Sequence, residues 1–477
     1  MISRKTMISG FVWRFLEKCG SQLVSIIVQL VLARLLSPSD FGTIAIVTVF
    51  INLLHVFVDS GLGNALIQKV DADDSDFSTV FFFNIIVCVM LYFLLFVLAP
   101  IISQYFEDGD LCLILRVMGL SLVISGVKNI QQAYVSRHLL FKKFFYSTVG
   151  GTILSAFVGI YLAYSGFGVW ALVVQYLLNL SVDTLILWIV VDWRPNKFFS
   201  LSRLKGLFSY GWKLLVASLL DTIYANLRQL LIGKFYTKEN LAFYNRGLQL
   251  PNVIVTNINS SIDSVLFTSM SSEQNDRLRV RNIAQKSLMI STFLMIPMMV
   301  GLAVCSEALI TVVLTEKWLP CIFYLRIFCF IFSFYPIHTT NLNTINALGH
   351  SDVFLKLELY KIVVGIIILF VTVKYGVKVI VLGEAFASII GQIINSYPNK
   401  EYIGYGYLDQ IKDIIPNIII SICMGVCIYP ISLVGISPII KLIIQIIMGI
   451  FVFIFLCLLI KPRPYKYLVD VLSQWNS

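Results

Sequence analysis

Arg14, Arg116, Arg228, Arg246 and Arg326, with Lys18 and Lys213, stand within or at the ends of long apolar runs. A charge near the centre of a bilayer costs at least about 2.5 kcal/mol on insertion scales, so it is kept only where it faces a partner or water. The chemistry open to such groups is anion binding. An Arg fork matches phosphate or carboxylate oxygens in pairs, and Lys adds a compact point charge. The acids at comparable depth, Asp183, Asp221 and Glu384, are fewer and are candidates for ion coupling.

Helical spacing groups these residues. Asp221, Tyr224 and Arg228 fall on one face, with Lys213 and Ala217 a step earlier. Gln249, Asn252, Thr256 and Asn259 make a second polar stripe, and Arg14, Lys18, Ser21, Gln22, Ser25 and Gln29 a third. Stripes of this kind on apolar helices are buried between helices or face water. Arg228 has a local partner in Asp221. Arg116 has one in Asp110, and Glu17–Lys18 reads as a helix-end pair. Arg246 and Arg326 have no carboxylate within a helical turn, which favours a cavity role for both.

The elements that must carry these groups follow from composition. Hydrophobic residues make up 58% of the 477, charged residues 13%, and the mean hydropathy is +0.86, which excludes a soluble domain. The net charge of +10 fits basic loops beside anionic headgroups better than nucleic-acid binding. The opening MISRKTMISGFVWRFLEK is interrupted by Arg14, Glu17 and Lys18 and lacks a small-residue cleavage site, so it reads as a helix and not a signal peptide. The nine cysteines form no CxxC pair and the four histidines have no ligand spacing, so neither a metal nor a cofactor is expected. Without a phosphate-binding Gly loop, a nucleophile elbow or HExxH, the chain does not read as an enzyme.

About fourteen apolar segments are long enough to span a bilayer, among them 12–36, 207–234, 241–269 and 353–375. The expected fold is an all-α polytopic membrane protein. Lys and Arg concentrate in alternate connections, such as Arg137, Lys142 and Lys143 or Arg194, Lys197, Arg203 and Lys205. The intervening loops at 103–110 and 163–168 carry no base, which predicts that both termini are cytoplasmic. Pro297 predicts a kink or break in the ninth span, and Gly151, Ser155 and Gly159 mark a close-packing helix. The acidic DADDSD (71–76) has no assigned chemistry.

A repeat organises the whole. Ala33-Arg-Leu-Leu-Ser-Pro-Ser-Asp-Phe-Gly42 aligns with Gly233-Lys-Phe-Tyr-Thr-Lys-Glu-Asn-Leu-Ala242, with Asp40 and Asn240 suited to helix N-caps and Ser37 and Thr237 to the turn. Duplication of this register predicts two pseudo-symmetric six-helix bundles, 1–200 and 201–400, with two further helices and a tail in 401–477. A parallel pair of bundles is a transporter arrangement, with a path between the halves. The last two spans carry almost no charge and are expected to face lipid.

The hairpin 33–42, followed by Asp59-Ser-Gly-Leu-Gly-Asn-Ala-Leu-Ile-Gln68, resembles the Wzx-type flippases of the multidrug/oligosaccharidyl-lipid/polysaccharide exporter superfamily, nearest the colanic acid and exopolysaccharide subgroup. Further similarity lies in 105–126 and 208–236. The resemblance implies alternating-access transfer of undecaprenyl-diphosphate-linked oligosaccharide units for O-antigen, capsule or exopolysaccharide across a bacterial inner membrane. It implies membrane lipids, and a polysaccharide polymerase and chain-length regulator, as partners. It casts the basic residues above as diphosphate ligands, and Asn252 and Tyr224 as sugar contacts. The competing readings are a drug/cation antiporter, which calls for an acidic cavity, a polymerase or ligase, which calls for a large outer loop, and a peptidoglycan-precursor flippase.

Overall fold

The computed structural model describes residues 4–59, 62–69 and 71–467, apart from some side chains in 4–11, 59–68, 206–214 and 260–265. The main elements are helices: α1 (Arg4–Leu35), α2 (Pro38–Asp59), α3 (Leu62–Gln68), α4 (Asp74–Tyr105), α5 (Gly109–Arg137), α6 (Phe141–Tyr164), α7 (Val169–Val190) and α8 (Leu201–Phe235). They continue as α9 (Lys238–Ser272), α10 (Arg277–Val313), α11 (Cys321–Ser333), α12 (Tyr335–Ala347), α13 (Ser351–Thr372), α14 (Val377–Ile403), α15 (Tyr407–Leu433) and α16 (Pro438–Ile460). Among the described residues, 12 spans are long and apolar enough to cross a membrane, α11 and α12 together forming one. α9 and α13 have the length but not the apolarity: α9 carries its Asn and Gln stripe, and α13 sets Lys356, Glu358 and Lys361 in one stretch.

Two compact units divide after Ala242, in the first turn of α9, and not at residue 200. The cause is α8, which packs on α2, α3 and α4 of the first unit. The linker 191–200 ties it there. Asn196 N–H donates to Ser78 Oγ (2.9 Å), Ser200 N–H to Thr79 Oγ1 (3.3 Å), and Gln131 Nε2 to the Trp193 carbonyl (3.1 Å). The acidic DADDSD stretch is structural. Asp73 and Asp76 close a capping box at the start of α4, and Arg203 Nη1 binds both carboxylates, at 2.6 and 3.1 Å. The Arg203 guanidinium, helped by the Asp76 backbone N–H, holds the Asp73 carboxyl below the usual carboxylate range. Lys69 Nζ reaches the fully buried Asp76 at 2.6 Å.

Both copies of the repeated hairpin leave two residues between their helices. The cap differs from the expectation by three residues. Ser37 and Thr237 are the N-caps, because Pro38 already occupies the first helical position, where its missing N–H costs nothing. Ser37 Oγ accepts from the Asp40 N–H (3.2 Å) while Asp40 Oδ2 takes the Ser37 N–H (2.9 Å); Thr237 Oγ1 accepts from Asn240 N–H (3.3 Å). The two hairpins touch inside the first unit. A Cβ on Gly42 would overlap the Lys238 carbonyl oxygen, and the Glu239 carboxylate takes its own N–H and the hydroxyls of Thr237 and Ser39. Lys238 Nζ pairs with Asp108 (2.6 Å) and Lys234 Nζ with Glu107 (3.2 Å) in the α4–α5 turn. On α6, Gly151 meets the Asn179 carbonyl and Gly159 meets Gln175 of α7, the close packing that their spacing predicts.

In the second unit, α10 runs unbroken through Pro297; the break falls instead at Phe334, where α12 restarts with Pro336 in its first turn. α15 and α16 are part of this unit, packed on α10. Asn417 of α15 donates to the Met289 carbonyl and Thr292 Oγ1, both at 3.0 Å, and Phe453 of α16 meets Phe293 at 5.3 Å between centroids.

Candidate functional site

In the first unit, α1 sets Arg14 Nη1 on Glu17 (2.8 Å) and its guanidinium 5.0 Å from the Phe144 ring of α6. Glu17, 6% exposed, therefore pairs with Arg14 and not with Lys18, which is left exposed with Gln22. An (i, i+3) partner inside the α1–α6 contact outcompetes an adjacent residue that points away from it. Arg116 turns to α4 and not to Asp110. Its Nε donates to the Phe96 carbonyl (3.3 Å) and its guanidinium stacks 4.1 Å from that ring. On α8 the expected face holds: Arg228, half-buried, lies 5.4 Å over Tyr224, and Asp221 is exposed. The side chain of Lys213 lies outside the described residues. Asp183 of α7 is buried and bonded to Lys128 of α5 at 2.5 Å. Lys128 went unnoticed in the sequence because its partner is on another helix; a lone Lys inside a predicted span was the available signal.

In the second unit, Arg246 of α9 is 7% exposed, donates to Gln249 Oε1 (2.7 Å) and stacks 5.1 Å over Trp318. Its neighbour Tyr244 donates to Glu384 of α14 (3.3 Å). Arg326 of α11 is exposed. Its Nε is fixed by Ser306 Oγ (3.1 Å) and the Ala303 carbonyl (3.2 Å) of α10, which orients the outer edge of the fork. The α9 stripe divides along its length. Asn252, Thr256 and Asn257 are exposed, while Asn259 accepts from Thr339 (2.8 Å) and Asp263 from Asn343 of α12.

A second polar cluster was not legible. Asn341 of α12, Ser396 and Asn399 of α14 and Gln410 of α15 are buried and joined by bonds of 2.6–3.1 Å. Amide groups that satisfy one another across three helices are glue. His338 belongs beside them, bonded to Asn395 at 2.9 Å. Among the described residues no group of three His, Cys, Asp or Glu could hold a metal.

What this arrangement offers chemically is polar surface left open on span-length helices. Lys18, Gln22 and Asp221 in one unit, and Asn252, Thr256, Asn257 and Arg326 in the other, are exposed, and hydrocarbon could not satisfy them. Hydroxyl-rich and anionic solutes suit such groups. Fold and site together define a polytopic membrane transport protein.

Comparison with known proteins agrees. Residues 31–323 match the family model described as polysaccharide biosynthesis protein, and the chain belongs to that family. It is 24% identical over 435 residues to the teichuronic acid biosynthesis protein TuaB of Bacillus subtilis, covering 90% of this chain and 89% of that one. It is 25% identical over 320 residues to the succinoglycan biosynthesis transport protein ExoT of Rhizobium meliloti, covering 66% and 64%. The fold is that of the lipid II flippase MurJ in an inward closed conformation: TM-score 0.76, 17% identity, 96% of this chain and 100% of that one. The resemblance read from the hairpin is borne out, and the chain is a multi-pass membrane protein of the polysaccharide biosynthesis family.

Proposed function

We propose that this protein is a flippase that moves undecaprenyl-diphosphate-linked oligosaccharide units across a bacterial inner membrane, with both termini cytoplasmic, by alternating access. The observation that carries the reading is the set of polar side chains exposed on α1, α8, α9 and α11 in a chain of the polysaccharide biosynthesis family. The diphosphate needs positive charge, and Arg326, Arg228 and Lys18 are assigned that role. Asn252 and Tyr224 supply amide and aromatic surface for sugars. Arg14, Arg116 and Arg246 already hold Glu17, Phe96 and Gln249 with Trp318, so their part is to position helices. A polymerase and a chain-length regulator are the expected partners downstream. The test is deletion of the gene in its host. The expected result is loss of one surface polysaccharide with accumulation of its lipid-linked unit; an unchanged surface would overturn the reading.

A further inference from the structure

Two ionisable side chains from two helices meet inside the first unit. Lys128 (α5) donates to Asp183 Oδ2 (α7) at 2.5 Å, with side chains 14% and 5% exposed. The buried Asp183 Oδ1 lacks a hydrogen-bond partner. The pair lies about two turns from the end of α7 and two and a half from the end of α5, or about 10–14 Å of helix.

Among the described residues, the groups shown packed against the pair are uncharged. α6 closes over the pair with Gly151, whose Cβ would come within 3.2 Å of Asp183 Cβ, and its Thr152 and Ser155 hydroxyls are held by Asn179. α4 presents Asn84 and Cys88 to α5 at Gly126. Asn129 of α5 is turned to the Val58 carbonyl. α8, packed on α2, carries Asp221 and Arg228, the latter over Tyr224. Asp59, one turn past His55, has a side chain outside the described residues.

A buried ion pair is a poor device for stability, since apolar residues of similar volume do as well or better. It is a good switch, because neutralising one partner strands the other. We propose that Lys128 and Asp183 form a proton-binding site that couples proton entry to the transport cycle. The proposal rests on the flippase reading above. In the step, a hydronium ion gives its proton to the Asp183 carboxylate. One O–H bond forms, a water leaves, and the N–H···O bond from Lys128 breaks. The link between α5 and α7 is thereby released. Loss of the proton to water on the other side reverses each change.

The test uses the full-length protein in liposomes on a solid-supported membrane, with a pH jump as the only stimulus. Wild type gives a transient charge movement, and Asp183→Asn loses it. Because that variant leaves Lys128 unpaired, the Lys128→Met/Asp183→Leu double variant is measured alongside it. It inserts at wild-type level and is equally silent. A wild-type transient in either variant overturns the proposal. Export in cells separates the two inferences. If the gene deletion leaves the surface polysaccharide intact, the flippase reading fails. If the deletion removes it and the double variant restores it in full, the coupling site alone fails.

Discussion

Arg246 and Arg326 have the same side chain in the same unit, and their surroundings assign them different work. Arg246→Met removes a desolvated cation–π contact with Trp318 and takes away the donor that reaches the Gln249 amide oxygen. The expected cost is on the order of 2–4 kcal/mol, seen as less folded protein in detergent at a given temperature. Arg326→Met gives up only bonds to a hydroxyl and an exposed carbonyl. Stability should change by less than about 1 kcal/mol while export falls sharply, measured as surface polymer per inserted molecule. Equal melting of the two variants would contradict this division. Sequence alone ranks the two together because neither has a carboxylate within a turn, and local spacing says nothing about a ring or hydroxyl on another helix. It does place Tyr224 under Arg228, since an (i, i+4) contact is local. It misses Lys128 as the partner of Asp183 for the opposite reason.

At the level of elements, the repeated hairpins were legible because the same ten-residue order of small, basic, apolar and hydroxyl residues recurs at 33–42 and 233–242. What the pattern does not encode is that the two copies abut. With the Lys238 carbonyl standing where a Cβ at residue 42 would go, Gly42→Ala must push the first turns of α2 and α9 apart. The expected outcome is a looser Lys238–Asp108 pair. In an Asp108→Cys/Lys238→Cys background, disulfide formation should therefore be slower with Gly42→Ala than with the parent glycine. A Gly42→Ala protein that cross-links as readily as its parent would contradict the close approach. At the start of α4, the depressed Asp73 carboxyl contributes stability above its unfolded pKa, and that contribution is lost as pH falls through the lower folded value. Asp73→Asn keeps the cap but cannot titrate. Its melting temperature should therefore fall less than wild type's when pH is lowered through the carboxylate range.

Across the whole chain, hydropathy predicts fourteen spans, and each is helical, the tenth as α11 and α12 in succession, although α9 and α13 are too polar to pass on apolarity. The role of the final pair was not visible, because near-charge-free sequence reads as lipid-facing from either side. α15 in fact buries Gln410 and Asn417, which satisfy Asn341 of α12 and Thr292 of α10, while α16 adds Phe453 against Phe293. Removing residues 405–477 would thus take one buried partner each from Asn341 of α12 and Thr292 of α10, at about 1 kcal/mol each, besides uncovering the apolar face of α10. The truncated chain should fail to give a monodisperse species in mild detergent. Separately expressed α15–α16 should bind it and restore solubility, whereas Gln410→Leu/Asn417→Leu versions of that fragment should bind more weakly. A truncated protein that stays monodisperse would make the last two helices an appendix after all, and would place their contribution in lipid contact and not in the second unit.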